Sequence, residues 1–289
     1  MIIKEALRDA AGLLCERETS VLEAEALLAF TLDVPKEYLI AHATEALEQE
    51  DYNVFKFYVG RLLKGEPMAY IMNSKEFFGL DFYVDNRVLI PRPETEFVVE
   101  KSLNYIRSAD EDKRVRVLEL GTGSGNISIS LARAMMNEGS DALDEILALD
   151  ISDDALEVAR LNADQQSVDH LIHFVQSDLL ESVDDGEEFD LIVANLPYIG
   201  EKIHRHLDDD VEKYEPALAL FGGDNGLKLY ERLFKGLDGR QIQFEFLVAE
   251  FGYGQSEDMA ELAQEYFGDN WSIEKDLAGI DRFLIVSNN

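Results

Sequence analysis

The feature that most constrains this 289-residue chain is the regular alternation of strand-like and helix-like segments in its second half. Apolar runs such as VLEL and LIVA are separated by stretches with helical periodicity. Such alternation predicts a parallel sheet with helices on both faces. The last two runs, WSIEKD and DRFLIVS, are joined only by the short LAGI segment, so we expect this pair to be antiparallel.

We therefore predict an α/β fold with a Rossmann-like, seven-stranded sheet. The predicted strands comprise residues 114–120, 145–150, 171–178, 189–195, 244–250, 271–276 and 281–287. The predicted helices comprise residues 126–136, 153–162, 227–237 and 256–267, preceded by a helix that begins at Pro93.

The first part of the chain has a different pattern. Residues 1–66 show helical periodicity, which predicts a small N-terminal helical domain. Residues 67–90 include EFFGLDFYVD, which predicts a β-hairpin connector with Gly79 near its turn, before a catalytic domain of residues 91–289. Cys15, the only cysteine, lies in the apolar segment AAGLLCE and is predicted to be a small core residue.

Composition narrows the possible partners. The formal net charge is −33, from 59 acidic and 26 basic residues, and such a charge repels phosphate backbones. No apolar run reaches membrane-spanning length, and the N-terminus has no apolar signal region. We therefore expect a cytoplasmic protein that binds neither membranes nor nucleic acids, and we expect it to be a monomer.

A glycine-rich turn, LELGTGSGNIS, connects one predicted strand to the next helix. Gly121, Gly123 and Gly125 let the backbone turn tightly and approach a ligand, and the helix that follows offers free N–H groups. The dinucleotide pattern G-x-G-x-x-G would require glycine at position 126, where the chain has Asn126. The turn therefore argues against a nicotinamide dinucleotide.

Two aspartates end the strands that follow the glycine turn. Asp150 lies at the distance expected for a carboxylate that holds a ribose diol, and Asp178 lies where a loop residue can meet an adenine ring. Either aspartate alone could instead cap the helix after it. Combined with the glycine turn, they predict an adenosine-containing cofactor at the carboxyl edge of the sheet.

The segment NLPY, Asn195 to Tyr198, follows another apolar strand. The Asn195 side-chain oxygen and the Leu196 carbonyl can accept the two protons of an –NH₂ group. Pro197 restricts the backbone, and Tyr198 can stack on a planar group. This arrangement predicts a clamp that aims a delocalised nitrogen lone pair at an electrophilic methyl group. Taken alone, the segment is more typical of a strand end followed by an ordinary turn, and its position after the cofactor turn favours the clamp.

These motifs, in this order, resemble the HemK/PrmC family, the N5-glutamine methyltransferases of peptide-chain release factors. The resemblance covers nearly the whole chain and is carried by GEPMAYI, EFFGLDFYV, LIPRPETE, LELGTGSGNIS, NLPYI, GGDNGLKLY, EFGYGQ and DLAGIDRF. It implies an S-adenosylmethionine-dependent methyltransferase that modifies the glutamine of a Gly-Gly-Gln loop. It also implies that the N-terminal helices help to dock the release factor.

The resemblance implies roles for individual residues, with S-adenosylmethionine as methyl donor and S-adenosylhomocysteine as product. The implied cofactor-binding residues are Gly121, Thr122, Gly123, Ser124, Gly125, Asp150, Asp178, Leu179 and Asn195. The implied glutamine clamp comprises Asn195, Leu196, Pro197 and Tyr198, of which Asn195, Pro197 and Tyr198 are the predicted catalytic residues. No metal ion is expected.

One position departs from the family pattern. Family members usually have Asn-Pro-Pro-Tyr, and here Leu196 replaces the first proline, although a leucine carbonyl can also be the acceptor. Asn-Leu-Pro-Tyr is similar to the clamp of ribosomal-RNA adenine dimethylases as well. Two alternatives therefore stay open: an adenine-N6 methyltransferase on RNA or DNA, which needs a basic groove, and a catalytically silent cofactor-binding module.

Several residues have more than one interpretation. Arg92 is a candidate substrate-binding residue, or it pairs with a carboxylate. Glu119 contacts the methionine amino group through the glycine loop or water, or it orders that loop, which we favour. His204 and His206 are spaced i, i+2 with no cysteine nearby, which argues against a metal site. Residues 201–215 are instead a candidate loop that closes over the substrate.

Overall fold

The computed structural model describes residues 1–110, 113–200 and 209–288. The chain divides into two compact units. One unit contains Met1–Ser74 and Asp209–Tyr214, and the other contains the described residues of 75–200 and 215–288. The predicted domain limits at residues 66 and 90 remain predictions.

Helices and strands occupy most of the described chain. The helices are α1 (Ile3–Leu13), α2 (Ser20–Leu32), α3 (Lys36–Ala41), α4 (Gln49–Leu62), α5 (Met68–Met72), α6 (Glu96–Ser108), α7 (Asn126–Glu138), α8 (Asp153–Gln165), α9 (Asp209–Tyr214), α10 (Ala217–Leu220), α11 (Lys228–Gly239) and α12 (Ser256–Phe267). The strands are β1 (Lys75–Phe77), β2 (Leu80–Phe82), β3 (Val115–Leu120), β4 (Leu143–Asp150), β5 (Ile172–Gln176), β6 (Glu188–Ala194), β7 (Gln243–Glu250), β8 (Trp271–Lys275) and β9 (Asp281–Ser287). None of the described helices is both long and apolar enough to cross a membrane.

The N-terminal unit is helical, as predicted, and has its own apolar core. Helix α1 buries Ile3, Ala6 and Ala10 on one face, at the spacing that brings side chains together on a helix. They pack in one cluster with Leu27 of α2 and Phe55 of α4. The predicted core position of Cys15 is wrong, because its side chain is exposed.

The end of α1 explains why Cys15 is exposed. The helix ends at Leu13, and Leu14 caps it while remaining only 1% exposed. Cys15 lies beyond the last helical turn, so the helical spacing on which the prediction rested no longer applies. Leu14 fills the core position instead.

Part of the predicted 201–215 loop is helical. Helix α9 belongs to the N-terminal unit, where the Lys213 ammonium and the Tyr214 hydroxyl both donate to the Lys64 carbonyl oxygen, at 3.0 and 2.9 Å. His204 and His206 lie outside the described residues, so the structure does not address the prediction made for them.

The large sheet confirms the predicted topology. Its strand order is β5-β4-β3-β6-β7-β9-β8. All pairs from β5 to β7 are parallel, whereas β9 is antiparallel to both β7 and β8. The short LAGI connection is held by Asp276, whose Oδ1 accepts hydrogen bonds from the backbone N–H groups of Ala278 and Ile280, both at 2.9 Å.

Apolar clusters cover both faces of this sheet. Along β3, Val117 belongs to the cluster shared with α6 and α7, and Leu118 belongs to the cluster shared with α11 and α12. Successive strand residues point to opposite faces, so one strand contributes to both cores. The prediction of helices on both sides is therefore confirmed.

The predicted β-hairpin is present as the antiparallel pair β1–β2. Phe77 and Phe82 are buried and meet edge to face, with ring centroids 6.1 Å apart. Buried Asn162 of α8 holds the chain after β2, because it accepts from the Tyr83 N–H at 2.7 Å and donates to the Tyr83 carbonyl at 3.0 Å. The same amide group also donates to the Ser124 carbonyl at 2.9 Å, which links the hairpin to the glycine turn.

Candidate active site

The ends of neighbouring parallel strands bring the candidate residues together. Leu120 of β3 is paired with Leu149 of β4 on one side and with Ala194 of β6 on the other. Ala194 is in turn paired with Ala249 of β7. The residues that follow these partners therefore lie along one edge of the sheet: Asp150, Gly121, Asn195 and Glu250. The strand order reverses direction at β3, and such a switch point is where open α/β sheets bind ligands.

A cavity of about 300 Å³ opens at this edge. The predicted site residues that line it are Arg92, Gly121, Thr122, Gly123, Ser124, Asp150, Asp178, Leu179, Asn195, Leu196 and Pro197. Gly125 and Tyr198 are not part of the lining: Gly125 caps α7, and the Tyr198 hydroxyl bonds to Glu250. One cavity thus joins the predicted cofactor residues to most of the predicted clamp.

The turn between β3 and α7 requires glycine for two reasons. Gly121, Gly123 and Gly125 all have positive φ angles, of 74°, 54° and 79°. This region of backbone conformation is unfavourable for other residues. A Cβ atom on Gly125 would also lie 2.7 Å from Ile129 Cδ1 and 3.2 Å from Ala159 Cβ, so a side chain there would press α7 away from α8.

Glu119, near the end of β3, holds the glycine turn through hydrogen bonds. The residue is 1% exposed, and its Oε2 accepts hydrogen bonds from the hydroxyls of Thr122, at 2.8 Å, and Ser128. Burial raises the pKa of the Glu119 carboxyl to about 7. These contacts favour the second of the two predicted interpretations, in which Glu119 orders the glycine loop.

Asp150 is positioned by two backbone N–H groups, one from the glycine turn and one from the segment before α8. Its Oδ2 accepts from Gly123 at 2.8 Å, and its Oδ1 accepts from Ser152 at 2.9 Å. Burial raises the pKa of this carboxyl above its usual value. A carboxylate oxygen can accept more than one hydrogen bond, so Asp150 retains acceptor capacity toward the cavity.

Asp178 is paired with a cation that the sequence analysis did not identify. The Arg232 guanidinium of α11 donates to Asp178 Oδ2 at 2.9 Å, and both residues line the cavity. The neighbouring Leu179 has a positive φ of 51°, which is uncommon for a residue with a side chain. The loop after β5 is therefore held in a specific conformation at this end of the cavity.

Asn195 is oriented by a hydroxyl group. Its Nδ2 donates to Thr95 Oγ1 at 3.1 Å, and the Thr95 hydroxyl donates to Glu250 Oε2 at 2.7 Å. With the amide nitrogen engaged in this way, the Asn195 side-chain oxygen is the atom left for a ligand. This is the orientation that a clamp for an –NH₂ group requires.

Leu196 is fixed from the side of α11. The residue is 3% exposed, and its N–H donates to the Tyr230 hydroxyl at 3.2 Å. A proline at this position has no N–H and could not form this bond. Within the described parts of the chain, the Leu196 carbonyl oxygen accepts no hydrogen bond, so it remains an acceptor for a ligand.

Tyr198 is held at both ends. Its hydroxyl donates to Glu250 Oε1 at 3.3 Å, and its carbonyl oxygen accepts from Gln255 Nε2 at 2.7 Å. Burial raises the pKa of the Tyr198 hydroxyl. The ring therefore stays neutral and keeps its hydroxyl as a donor across the physiological range.

Arg92 pairs with a carboxylate, as one of its two predicted interpretations requires, and it also lines the cavity, while its role in substrate binding stays a prediction. Its Nη2 donates to Glu215 Oε1 at 2.6 Å, and Glu215 Oε2 accepts from the Ile90 N–H at 3.2 Å. The Glu215 side chain is only 1% exposed, whereas that of Arg92 is 33% exposed. Arg92 is thus held at the cavity by a buried anion.

Sequence reasoning gave no role to Thr95, Glu215, Arg232 or Glu250. A signal for Glu250 was present, since the charged residue ends an apolar strand, FLVAE, as Asp150 ends LALD. The other three residues are contributed by segments that lie 54 to 155 residues from their hydrogen-bond partners. Their positions depend on how the strands are ordered in the sheet, which local patterns do not specify.

The fold and the site define a methyltransferase domain. Residues 111–220 match the family described as "Methyltransferase domain", and residues 5–72 match "PrmC N-terminal domain". Among solved structures, the human METTL16 catalytic domain bound to MAT2A 3'UTR hairpin 1 is similar over 92% of this chain and 91% of that chain, with a TM-score of 0.55 and 15% identity. The N-terminal domain of human METTL16 in complex with SAH is similar over 91% and 94%, with a TM-score of 0.52 and 16% identity. At such identities the likeness shows the fold alone.

Sequence relatives are much more similar. A release factor glutamine methyltransferase from Bacillus subtilis (strain 168) is 36% identical over 98% of this chain and 96% of its own length. Those of Koribacter versatilis (strain Ellin345) and Clostridium acetobutylicum are 34% and 33% identical, covering 91% and 99% of this chain and 90% and 98% of their own lengths. The chain belongs to the release factor glutamine methyltransferase family.

Proposed function

We propose that this protein transfers a methyl group from S-adenosylmethionine to the side-chain amide nitrogen of the glutamine in the Gly-Gly-Gln loop of a peptide-chain release factor. The observation that carries the proposal is the placement of Asn195 beside the glycine turn, with its amide oxygen left for a ligand. Near full-length identity of 33–36% to release factor glutamine methyltransferases supports this substrate. Since release factors act on ribosomes, we propose the cytoplasm as the compartment.

The residues at the edge of the sheet fit S-adenosylmethionine. The glycine turn leaves room at Gly123, where an added Cβ would meet no atom within 4 Å. We assign the turn Gly121–Gly125 to the methionine part, Asp150 to the ribose hydroxyls, and Asp178 with Leu179 to the adenine. Bound there, the cofactor supplies an electrophilic methyl group on a positively charged sulfur. Two acidic residues that line the cavity, Asp150 and Asp178, suit that charge.

The clamp prepares the glutamine amide for transfer. Asn195 Oδ1 and the Leu196 carbonyl oxygen accept the two amide protons, which fixes the plane of the –NH₂ group. Pro197 lines the cavity, and we assign it and the neighbouring Tyr198 to the wall against which the planar amide lies. The amide lone pair is delocalised, so positioning and electrostatic contacts contribute the rate enhancement. The nitrogen gains the methyl group and loses one proton afterwards, so the chain needs no strong base.

Arg92 is assigned to substrate binding at the mouth of the cavity. Its pairing with Glu215 uses part of the guanidinium, which carries five N–H donors. The remaining donors suit the backbone carbonyl groups of an extended Gly-Gly-Gln segment. The N-terminal helices are assigned to docking of the release factor.

The test is methyl transfer to two substrates in parallel, a purified release factor and ribosomal RNA, with the product mapped by mass spectrometry. We expect the label on the glutamine of the Gly-Gly-Gln loop. Asn195→Ala should lower kcat by about 10²–10³-fold, which is the effect of removing one preorganised polar group. Asn104→Ala, at an exposed position of α6, is the matched control and should keep the wild-type rate.

Other outcomes would point to the alternatives. Label on adenine would overturn the glutamine assignment and identify Leu196 as the informative position. Cofactor binding with transfer to neither substrate would favour a silent binding module. An unchanged rate in the Asn195→Ala variant would remove the clamp from the mechanism.

A further inference from the structure

A chain of three hydrogen bonds runs behind the clamp and ends on one buried carboxylate. Asn195 Nδ2 donates to Thr95 Oγ1 at 3.1 Å, and Thr95 Oγ1 donates to Glu250 Oε2 at 2.7 Å. From the other side, the Tyr198 hydroxyl donates to Glu250 Oε1 at 3.3 Å. Each oxygen of Glu250 therefore controls one member of the clamp.

The fold brings these residues together from separate parts of the sequence. Asn195 follows Ala194 and Glu250 follows Ala249, and these two alanines are register partners on neighbouring parallel strands. Thr95 comes from the 3₁₀ helix Pro93–Thr95 that precedes α6. Thr95 and Glu250 are each 1% exposed, so water does not compete for their bonds.

The direction of donation along these hydrogen bonds is set at the Glu250 carboxylate. An ionised glutamate has acceptors only, so the Thr95 hydroxyl must direct its proton to Glu250. The Thr95 oxygen can then only accept from Asn195, which must turn its –NH₂ group inward. The Asn195 oxygen consequently faces the ligand. With the opposite polarity, Asn195 would present donors to an –NH₂ group, and two donors repel.

We infer that Glu250 and Thr95 are positioning residues that fix the amide orientation of Asn195, and that Glu250 also fixes the ring of Tyr198. The inference rests on the proposed function, because it assigns the purpose of the orientation to binding of the glutamine amide. Neither residue donates or accepts a bond at the reacting nitrogen in this scheme. They act through Asn195 and Tyr198, the two side chains that we assign to the substrate.

The surroundings of Glu250 make the orientation of Asn195 sensitive to pH. Burial raises the pKa of the Glu250 carboxyl to about 7, with a smaller contribution in the same direction from Glu94. The hydroxyls of Thr95 and Tyr198 and the charge of Arg282 on β9 oppose this rise. The part of Glu250 that the Tyr230 hydroxyl contacts is the backbone carbonyl oxygen, not the carboxyl group. Protonation turns one carboxyl oxygen into a donor, and when that proton is directed at Thr95 or Tyr198, the hydroxyl bond there must reverse. The ionised form, and with it the active orientation, is favoured above about pH 7.

The experiment compares Thr95→Val, Thr95→Ser and Glu250→Gln with the wild type, using the release factor as substrate. Thr95→Val keeps the shape of the side chain and removes its hydroxyl, and we expect kcat to fall on the order of 100-fold with KM nearly unchanged, because the error is in orientation rather than docking. Thr95→Ser restores the hydroxyl and should return kcat to within about threefold of the wild type.

The pH profile separates positioning from a general structural role. The kcat of the wild type should rise with pH through an apparent pKa near that of Glu250, about 7. Glu250→Gln has one acceptor and one –NH₂ group, so it can hold only one of the two hydroxyls in the wild-type direction. We expect this variant to lose kcat and to lose the rising limb of the profile. Thermal unfolding of each variant corrects the rates for any loss of folded protein.

Two results overturn the inference. If wild type methylates the release factor and Thr95→Val keeps the wild-type kcat, then Asn195 needs no external orientation. If Glu250→Gln retains the same rising limb, the titrating group lies elsewhere and Glu250 does not set the polarity. A wild type that transfers no methyl group to glutamine is a different failure, since it removes the proposed function and the inference together.

Discussion

Two buried glutamates at the same edge of the sheet show how similar groups acquire different tasks. Glu119 and Glu250 are each 1% exposed, and burial raises the pKa of each carboxyl to about 7. Glu119 receives both of its hydroxyl donors, from Thr122 and Ser128, on a single oxygen. Its Oε1 has no hydrogen-bond partner within the described residues. Its partners are three and nine residues away in the sequence.

Glu250 receives its donors on both oxygens and from distant parts of the chain. Thr95 is 155 residues away and Tyr198 is 52 residues away. The local contacts of Glu119 order one turn, and they require only β3 and the start of α7. The contacts of Glu250 exist only when β6, β7 and the segment before α6 are assembled. Equal burial and equal pKa therefore do not imply an equal role. Hydrogen-bond partners that are close in sequence make Glu119 an anchor of one loop. Partners from distant segments make Glu250 a link across the site.

The largest expected effect concerns the pH dependence of stability at Glu119. Its pKa rises from 4.5 to about 7 on folding, so the folded state disfavours the ionised form. Its contribution to stability is fully present below about pH 4.5 and is lost as the pH rises to about 7. The free energy of unfolding of Glu119→Gln minus that of the wild type should therefore increase by about 3 kcal/mol as the pH rises through that range.

Denaturant unfolding at several pH values measures this difference, in which the titration of the other acidic residues cancels. Glu250→Gln should show a change of the same sign, because its pKa is raised by the same cause. The two variants should differ in activity, since only Glu250 orients the clamp. A relative stability that does not move with pH would show that Glu119 titrates normally in the folded protein.

A smaller effect on stability is expected where the backbone of the clamp is hydrogen-bonded to α11. Tyr230 is fully buried, and its hydroxyl accepts from the Leu196 N–H and donates to the Glu250 carbonyl oxygen. Tyr230→Phe leaves both groups without that partner and should cost about 1–3 kcal/mol of unfolding free energy. Tyr253→Phe, at a position 80% exposed, is the control and should stay within about 0.5 kcal/mol of wild type. Equal stability of the two variants would mean that the Glu250 side of the site is not anchored through α11.

The smallest effect is expected at the partly exposed pair of Asp178 and Arg232. Their side chains are 33% and 43% exposed, so the pair is screened by solvent and contributes less than about 1 kcal/mol to stability. Arg232→Ala should weaken binding of S-adenosylhomocysteine only a few-fold, about 2- to 5-fold, and less at high salt. Calorimetry at two salt concentrations measures this. Arg240→Ala, which breaks a similar pair with Asp185 away from the cavity, should leave the affinity unchanged.

Much of the fold could be predicted from local patterns, because apolar runs and helical periodicity report burial directly. The differences arise at element ends. The helix predicted for residues 126–136 continues to Glu138, where Gly139 with a positive φ ends it. The helix predicted to begin at Pro93 starts instead with a 3₁₀ turn, Pro93–Thr95, before α6.

The candidate site was only partly predictable. Gly121 directly follows β3 and Asp150 is the last residue of β4, so strand order alone places them at one edge. The assignment of roles to them and to Asn195 stays a prediction. Thr95 has no local signal, since its partners are 100 and 155 residues away. Contacts of this kind depend on the register between strands and on the packing of a connecting segment, neither of which is encoded in a short window of sequence.

The exposed position of Cys15 has a practical consequence. It is the only thiol in the chain, and it lies just after α1 at the surface of the N-terminal unit. Thiol-selective reagents will therefore modify one site without any mutagenesis. A fluorophore attached there would test, through its anisotropy, whether the protein binds a release factor, independently of whether a methyl group is transferred.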